Sequence, residues 1–195
     1  SFGDDVAVQL DVTRDKRINY LCGKEYGSIF VENRYTKSVN AYPYRVLRSL
    51  WGFSKYLPST RFQFELVNPD LFKECYDEND VFAPSHYGMD YLFASVMLSN
   101  PLFWMELQFL AEERRGELKP IMKVWRKIRG EIADADVSPI GMRPDGRSFT
   151  GFKIKGKEKS YLLLFRELTE NDTFLFDIGE NIETVKAIIS NTDIK

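Results

Sequence analysis

Gly27-Ser28-Ile29-Phe30-Val31-Glu32-Asn33-Arg34-Tyr35 joins an apolar run, Ile29 to Val31, directly to a carboxylate, an amide, a guanidinium and a phenol. A strand covered on both faces reads as a continuous apolar run, as parallel strands do. Barrel enzymes keep their chemistry at the C-terminal ends of such strands, where polar groups are delivered. The competing reading of the same stretch is a strand that simply ends in solvated polar residues.

Working outward, Val6 to Val12 reads as a strand, the turn Arg14-Asp15-Lys16-Arg17 follows, and Ile18 to Leu21 is a short return strand. Downstream, Pro43 opens a helix through Val46, Leu47, Leu50 and Trp51, which closes before Pro58. Arg61 to Val67 alternates strictly: Phe62, Phe64 and Leu66 share one face, and Arg61, Gln63 and Glu65 the other. In a barrel that polar face points to the interior or the mouth. Residues 70–86 are a loop-rich insertion without calcium-loop spacing. Helices are expected over Tyr87–Ser99 and, after Asn100-Pro101, over Leu102–Glu113 up to Gly116. Ile121, Val124, Trp125, Ile128 and Ile132 make the clearest apolar helical stripe, and Lys123, Arg126, Lys127 and Arg129 form its wet back. After Val137-Ser138-Pro139 the pattern becomes short strands with tight turns: 148–154, 161–168, 173–178 and 185–190. The fold class expected is α/β in residues 1–138, followed by an antiparallel β-sheet in 139–195.

Composition narrows the chemistry. The net charge of −2, from 27 basic and 29 acidic side chains, argues against a general nucleic-acid backbone binder. The single histidine, His86, with Cys22 and Cys75, cannot supply a zinc cluster, and no cofactor motif is present. Cys22 and Cys75 read as two buried thiols, with a disulfide left open. No apolar run approaches about 18 residues, so no membrane span is expected. The start at Ser1 reads as a processed or cloned boundary; it is compatible with a removed export signal, and so with a periplasmic or secreted protein as well as a cytoplasmic one. The aromatic share of 14% supplies core, and also ring faces of the kind that line sugar sites.

Several strings, in order, resemble the melibiase-type, α-galactosidase-like retaining glycoside hydrolases. They are Tyr26 to Thr36, Leu47-Arg48-Ser49-Leu50-Trp51, Phe62-Gln63-Phe64-Glu65, Asp90 to Ala94, Asn100 to Glu106, Ser148 to Phe152 and Tyr161 to Glu167. The resemblance spans nearly the whole chain. It implies a (β/α)8 barrel followed by a β-sandwich. Residues 1–138 fall short of the roughly 250 that such a barrel takes. The implied chain is therefore a partial (β/α)8-type barrel, its last strands, followed by the opening strands of the sandwich. Uncovered sheet edges would admit a homo-oligomer.

Retaining hydrolysis uses two carboxyl groups about 5–5.5 Å apart. The family's nucleophile lies in a Lys-x-Asp type motif, which has no match here; Asp11 ends a strand without that context. The acid/base position corresponds to Lys37, and an ammonium with an ordinary pKa of about 10.4 does not replace a carboxylic acid. By resemblance, Glu32 is the nearest candidate proton donor, and Arg34, Tyr35, Trp51 and Glu65 are substrate-binding candidates for an oligosaccharide or glycoside. The structural alternatives are a Glu32–Arg34 pair and a solvated Glu65. Two other functions compete: a non-catalytic carbohydrate-binding or scaffold protein derived from such an enzyme, and an unrelated interaction domain.

Overall fold

A computed structural model describes residues 12–13, 28–31, 37, 39, 41–179 and 184–190, with backbone only at 12, 13, 105 and 106. Its first layer is a set of short parallel strands: β1 (Val12–Thr13), β2 (Ile29–Phe30), β3 (Phe62–Gln63), β4 (Glu65–Leu66) and β5 (Leu102–Phe103). β1 pairs parallel with β2, β2 with β3, and β4 with β5. β3 and β4 are two halves of one stretch, broken only at Phe64. The Asn100 N–H donates to Phe62 O and the Leu102 N–H to Phe64 O, both at 2.8 Å, so the segment leading into β5 runs beside the whole stretch. Among the described strands, neighbours in space are thus neighbours in sequence. A doubly wound sheet would reverse its order at a switch point. No closed barrel is present among the described residues. The expected strands over 6–11 and 18–21 lie outside the described residues.

Helix α1 (Pro43–Phe53) crosses between β2 and β3, with Pro43 at its first position, where the missing N–H costs nothing. Val46, Leu47 and Leu50 bury its inner stripe, and Phe53 stacks on Phe62 at 5.1 Å. Helix α2 (Met89–Ala94) is shorter than the sequence suggests; beyond Ala94 the chain continues as turns. The 102–113 region overturns the expected helix. It is β5, then a 3-10 segment Met105–Phe109, because Leu102 and Phe103 complete the sheet beside Glu65 and Leu66. Helix α3 (Glu112–Ala133) then runs straight through Gly116 and Pro120, the first of which reads as a stop in the sequence. Ile121 and Ile132 are buried, and Trp125 packs edge-on to Phe93 and donates to Met97 O at 2.9 Å. That burial carries the helix past its two poor formers.

The second layer is antiparallel: β6 (Asp136–Gly141), β7 (Phe149–Lys155) and β8 (Ser160–Arg166), in that order. The antiparallel pattern starts at Asp136, so Pro139 lies within β6, opposite Phe152. Val137, Phe152, Ile154 and Phe165 join the same hydrophobic core as α1, α2 and the parallel strands. Residues 173–178 and 185–190 form no strands, contrary to expectation. Phe174 instead lays its ring on Phe149 at 5.3 Å, and the Lys153 Nζ donates to Ile178 O at 2.9 Å. The segment is held by side chains rather than by a ladder. Cys75 is exposed, which corrects the expectation of a buried thiol; Cys22 lies outside the described residues.

Candidate functional site

Alternation along a strand sends successive side chains to opposite faces, and parallel partners share a face. Ile29, Val31, Phe62, Phe64 and Leu66 are all buried on the helix-bearing face. Phe30 is level with Gln63, and Glu65 is level with Leu102, so these four belong to the other, inner face. Trp104 follows β5 and reaches the same face, where its ring stacks with Phe30 at 6.4 Å and 16°. Trp104 is 40% exposed, whereas Glu65 is only 2% exposed. Phe30 and Trp104 therefore stack near the C-terminal ends of the parallel strands, with Gln63 level with Phe30 and the buried Glu65 two residues further along the same face. On the helix side, the space lined by Glu65, Pro43, Val46, Leu92 and Ser95 is about 10 Å³, enough for a single water at most.

The residues expected from the sequence are not equally placed. Glu32, Arg34 and Tyr35 lie outside the described residues; Val31, whose N–H donates to Gln63 O at 3.1 Å, is the last described residue before them. Glu65 is on the inner face, buried rather than solvated. Trp51 is not: its indole N–H donates to Ile140 O at 3.3 Å and the Lys55 ammonium sits 3.9 Å from its ring centroid. It serves the joint between α1 and β6, across the parallel sheet from Phe30 and Trp104. Lys37 is exposed, with its Nζ 5.6 Å from the Phe72 ring centroid. Sequence reasoning missed the stacked pair of the half-buried Phe30 and the exposed Trp104. Trp104 was hidden by the expected 102–113 helix; reading Leu102-Phe103-Trp104 as a strand end would have found it.

Two polar knots hold the loops around this sheet. Glu167, 6% exposed, accepts the Gly146 N–H at 2.9 Å and the Asp145 and Ser148 N–H groups at 3.2 Å each through Oε2, and the Tyr91 hydroxyl at 3.2 Å through Oε1. Burial raises the carboxyl above its ordinary value, and the three N–H groups and Tyr91 oppose that rise. Burial and the Glu167 charge together push Tyr91 well up and Tyr87 up to about 12. Gly146, at φ +91°, lets the turn close onto the Phe82 ring, 2.4 Å from where a Cβ would stand. The second knot is Arg114 on α3. It grips Asp70 with two bonds, at 2.8 and 3.0 Å, holds Glu117 at 3.1 Å, and caps the carbonyls of Ser85 and Tyr87. Its guanidinium holds the Asp70 carboxyl below the usual carboxylate range.

Among the described residues no group of three or more His, Cys, Asp or Glu side chains could hold a metal ion, and no helix is long and apolar enough to cross a membrane. Comparison with family models, curated proteins and solved structures returns no match.

Proposed function

We propose that this chain forms the C-terminal part of an α-galactosidase-like retaining glycoside hydrolase: the last strands of a (β/α)8-type barrel and the opening strands of a β-sandwich. The observation that carries the reading is the inner face. Parallel strands in consecutive order set Phe30 level with Gln63 and bring Trp104 onto the Phe30 ring, with Glu65 two residues beyond Gln63 on the same alternating strand, buried. Flat rings cover the apolar face of a sugar, and amide and carboxylate oxygens accept its hydroxyls. In this reading Glu32 donates the proton to the leaving oxygen, and Arg34 and Tyr35 contact the sugar. Retaining hydrolysis also needs a carboxylate nucleophile, which we assign to no residue of the chain. A second reading, sugar binding without turnover, draws on Lys37, a cation where the family places its acid.

The test is titration of the chain with methyl and aryl α-galactosides, followed by tryptophan fluorescence and by release of the aryl group. Saturable quenching that Trp104→Ala weakens by about three- to tenfold, as expected for one aromatic contact, supports the site. Turnover abolished by Glu32→Gln supports the hydrolase; binding without turnover selects the second reading. A folded chain that shows neither quenching nor calorimetric heat with these sugars overturns both.

A further inference from the structure

Strand β8 is the outer strand of its sheet, and among the described residues nothing pairs with its far side. The direction of its backbone groups follows from two bonds. The Glu167 N–H donates to Ser148 O at 3.0 Å, and the Gly156 N–H donates to Lys159 O at 3.1 Å. With the observed register, residues 161, 163 and 165 bond to β7. Ser160, Leu162, Leu164 and Arg166 therefore aim their N–H and C=O groups outward. The opposite edge of the sheet is protected. The Met142 N–H donates to Phe149 O at 2.8 Å, which makes the even residues of β6 those bonded to β7. Pro139 thus sits at an outward-facing position and removes an edge donor. β8 has no such guard: it carries no proline, and no charge from Ser160 to Phe165. Leu164, 41% exposed, lies beside the half-buried Leu162 on the face of the sheet away from the core, the face on which Phe174 rests. Natural edges of this length are ordinarily blocked.

We propose that β8 pairs antiparallel with β8 of a second copy of this chain, about a two-fold axis at Leu163. The sequence is self-complementary in that register. Leu162 falls opposite Leu164 of the second copy, and Ser160 opposite its Arg166, so outward-facing residues meet outward-facing residues and exchange both bonds. Tyr161 falls opposite Phe165, an aromatic cross-strand pair. A slip of one residue would set outward groups against inward ones; a slip of two would shorten the ladder. Seven residues a side is well below the roughly 20–30 of a standard interface, so the dimer is weak and exchanges quickly. β8 contributes nothing to the inner face, so a monomeric chain would leave the sugar site standing, although further sandwich strands in the proposed function would compete for the same edge.

Sedimentation velocity of the chain from low to high micromolar concentration tests it, with reductant present because Cys75 is exposed. The expected result is a concentration-dependent dimer that Leu164→Pro abolishes, since the substitution deletes an outward N–H and leaves the β7 ladder intact. Leu162→Lys, which keeps every backbone group, places two ammonium groups near the axis and is expected to raise the dissociation constant by about tenfold or more. It decides the matter if the proline variant does not fold. A chain that stays monomeric at every concentration, or a dimer that Leu162→Lys leaves unchanged, overturns the proposal.

Discussion

Removing the Glu167 carboxylate tests whether one buried acid joins the antiparallel sheet to α2. In Glu167→Ala the N–H groups of Gly146 and Ser148, both buried residues, lose their acceptor, and so does the Tyr91 hydroxyl. A stranded buried donor costs about 1–3 kcal/mol, so the loss expected is about 3–5 kcal/mol. Against a total of about 5–15 kcal/mol for a typical protein, that is a large fraction. Glu167→Gln keeps an oxygen for the three N–H groups and removes a charge that burial disfavours. Its expected loss is about 1 kcal/mol or less. Urea unfolding followed by tryptophan fluorescence reads both values. The pH dependence has a definite sign. The folded chain holds the Glu167 proton more tightly than the unfolded chain does. Its contribution is therefore full below the ordinary carboxyl range and is lost as pH rises through the raised folded value. Wild type should lead Glu167→Gln by most in acid and by least at neutral pH. A Glu167→Ala variant that loses less than about 1 kcal/mol at neutral pH refutes the reasoning, because the three N–H groups would then not depend on this acceptor.

Gly151→Ala places a Cβ 2.4 Å from Leu163 O, a backbone atom that cannot step aside; the expected cost is about 1–3 kcal/mol by thermal unfolding. Trp51→Phe removes the indole bond to Ile140 O and should lower stability by about 0.5–1.5 kcal/mol while leaving the proposed glycoside binding unchanged; a loss of such binding would place Trp51 at the site after all. Asp70 has its carboxyl lowered by Arg114, so its contribution is present above the ordinary carboxyl range and is lost as pH falls through the lowered value. Asp70→Asn should leave the 70–87 segment open to limited proteolysis at neutral pH and remove the acid-dependent onset of cleavage expected of wild type; unchanged protection would remove the clamp.

The elements legible in the sequence are those whose burial follows a simple period. Phe62, Phe64 and Leu66 show the alternation of their strand, and Ile121, Trp125, Ile128 and Ile132 the stripe of α3. The hairpin of β7 and β8 is marked by Gly156-Lys157-Glu158-Lys159. Legibility fails where a distant partner decides. Leu102-Phe103 carries no period of its own and becomes strand only because the Phe62–Leu66 stretch offers it a ladder. Residues 173–178 alternate like a strand, yet Phe174 and Phe176 spend their rings on Phe149 and Gly141 and the backbone joins no ladder. The same limit governs the site. Glu65 was legible because its strand was, while Trp104 was lost with its misread segment. Trp51 and Glu167 each have a partner 76 or more residues away, Ile140 and Tyr91, and no local pattern announces either.

Pro120 divides α3 into two pieces with different allegiances. It has no N–H for the Gly116 carbonyl, so the rung between them is missing, and a proline inside a helix costs about 3 kcal/mol relative to alanine. Before the gap, Arg114 and Glu117 answer to the 70–87 loop; after it, Ile121 through Ile132 answer to the core. The helix can therefore unzip at its front without loosening its rear. In deuterated solvent, amides from 114 to 119 should exchange as a group with the loop they grip, well ahead of those from 125 to 132.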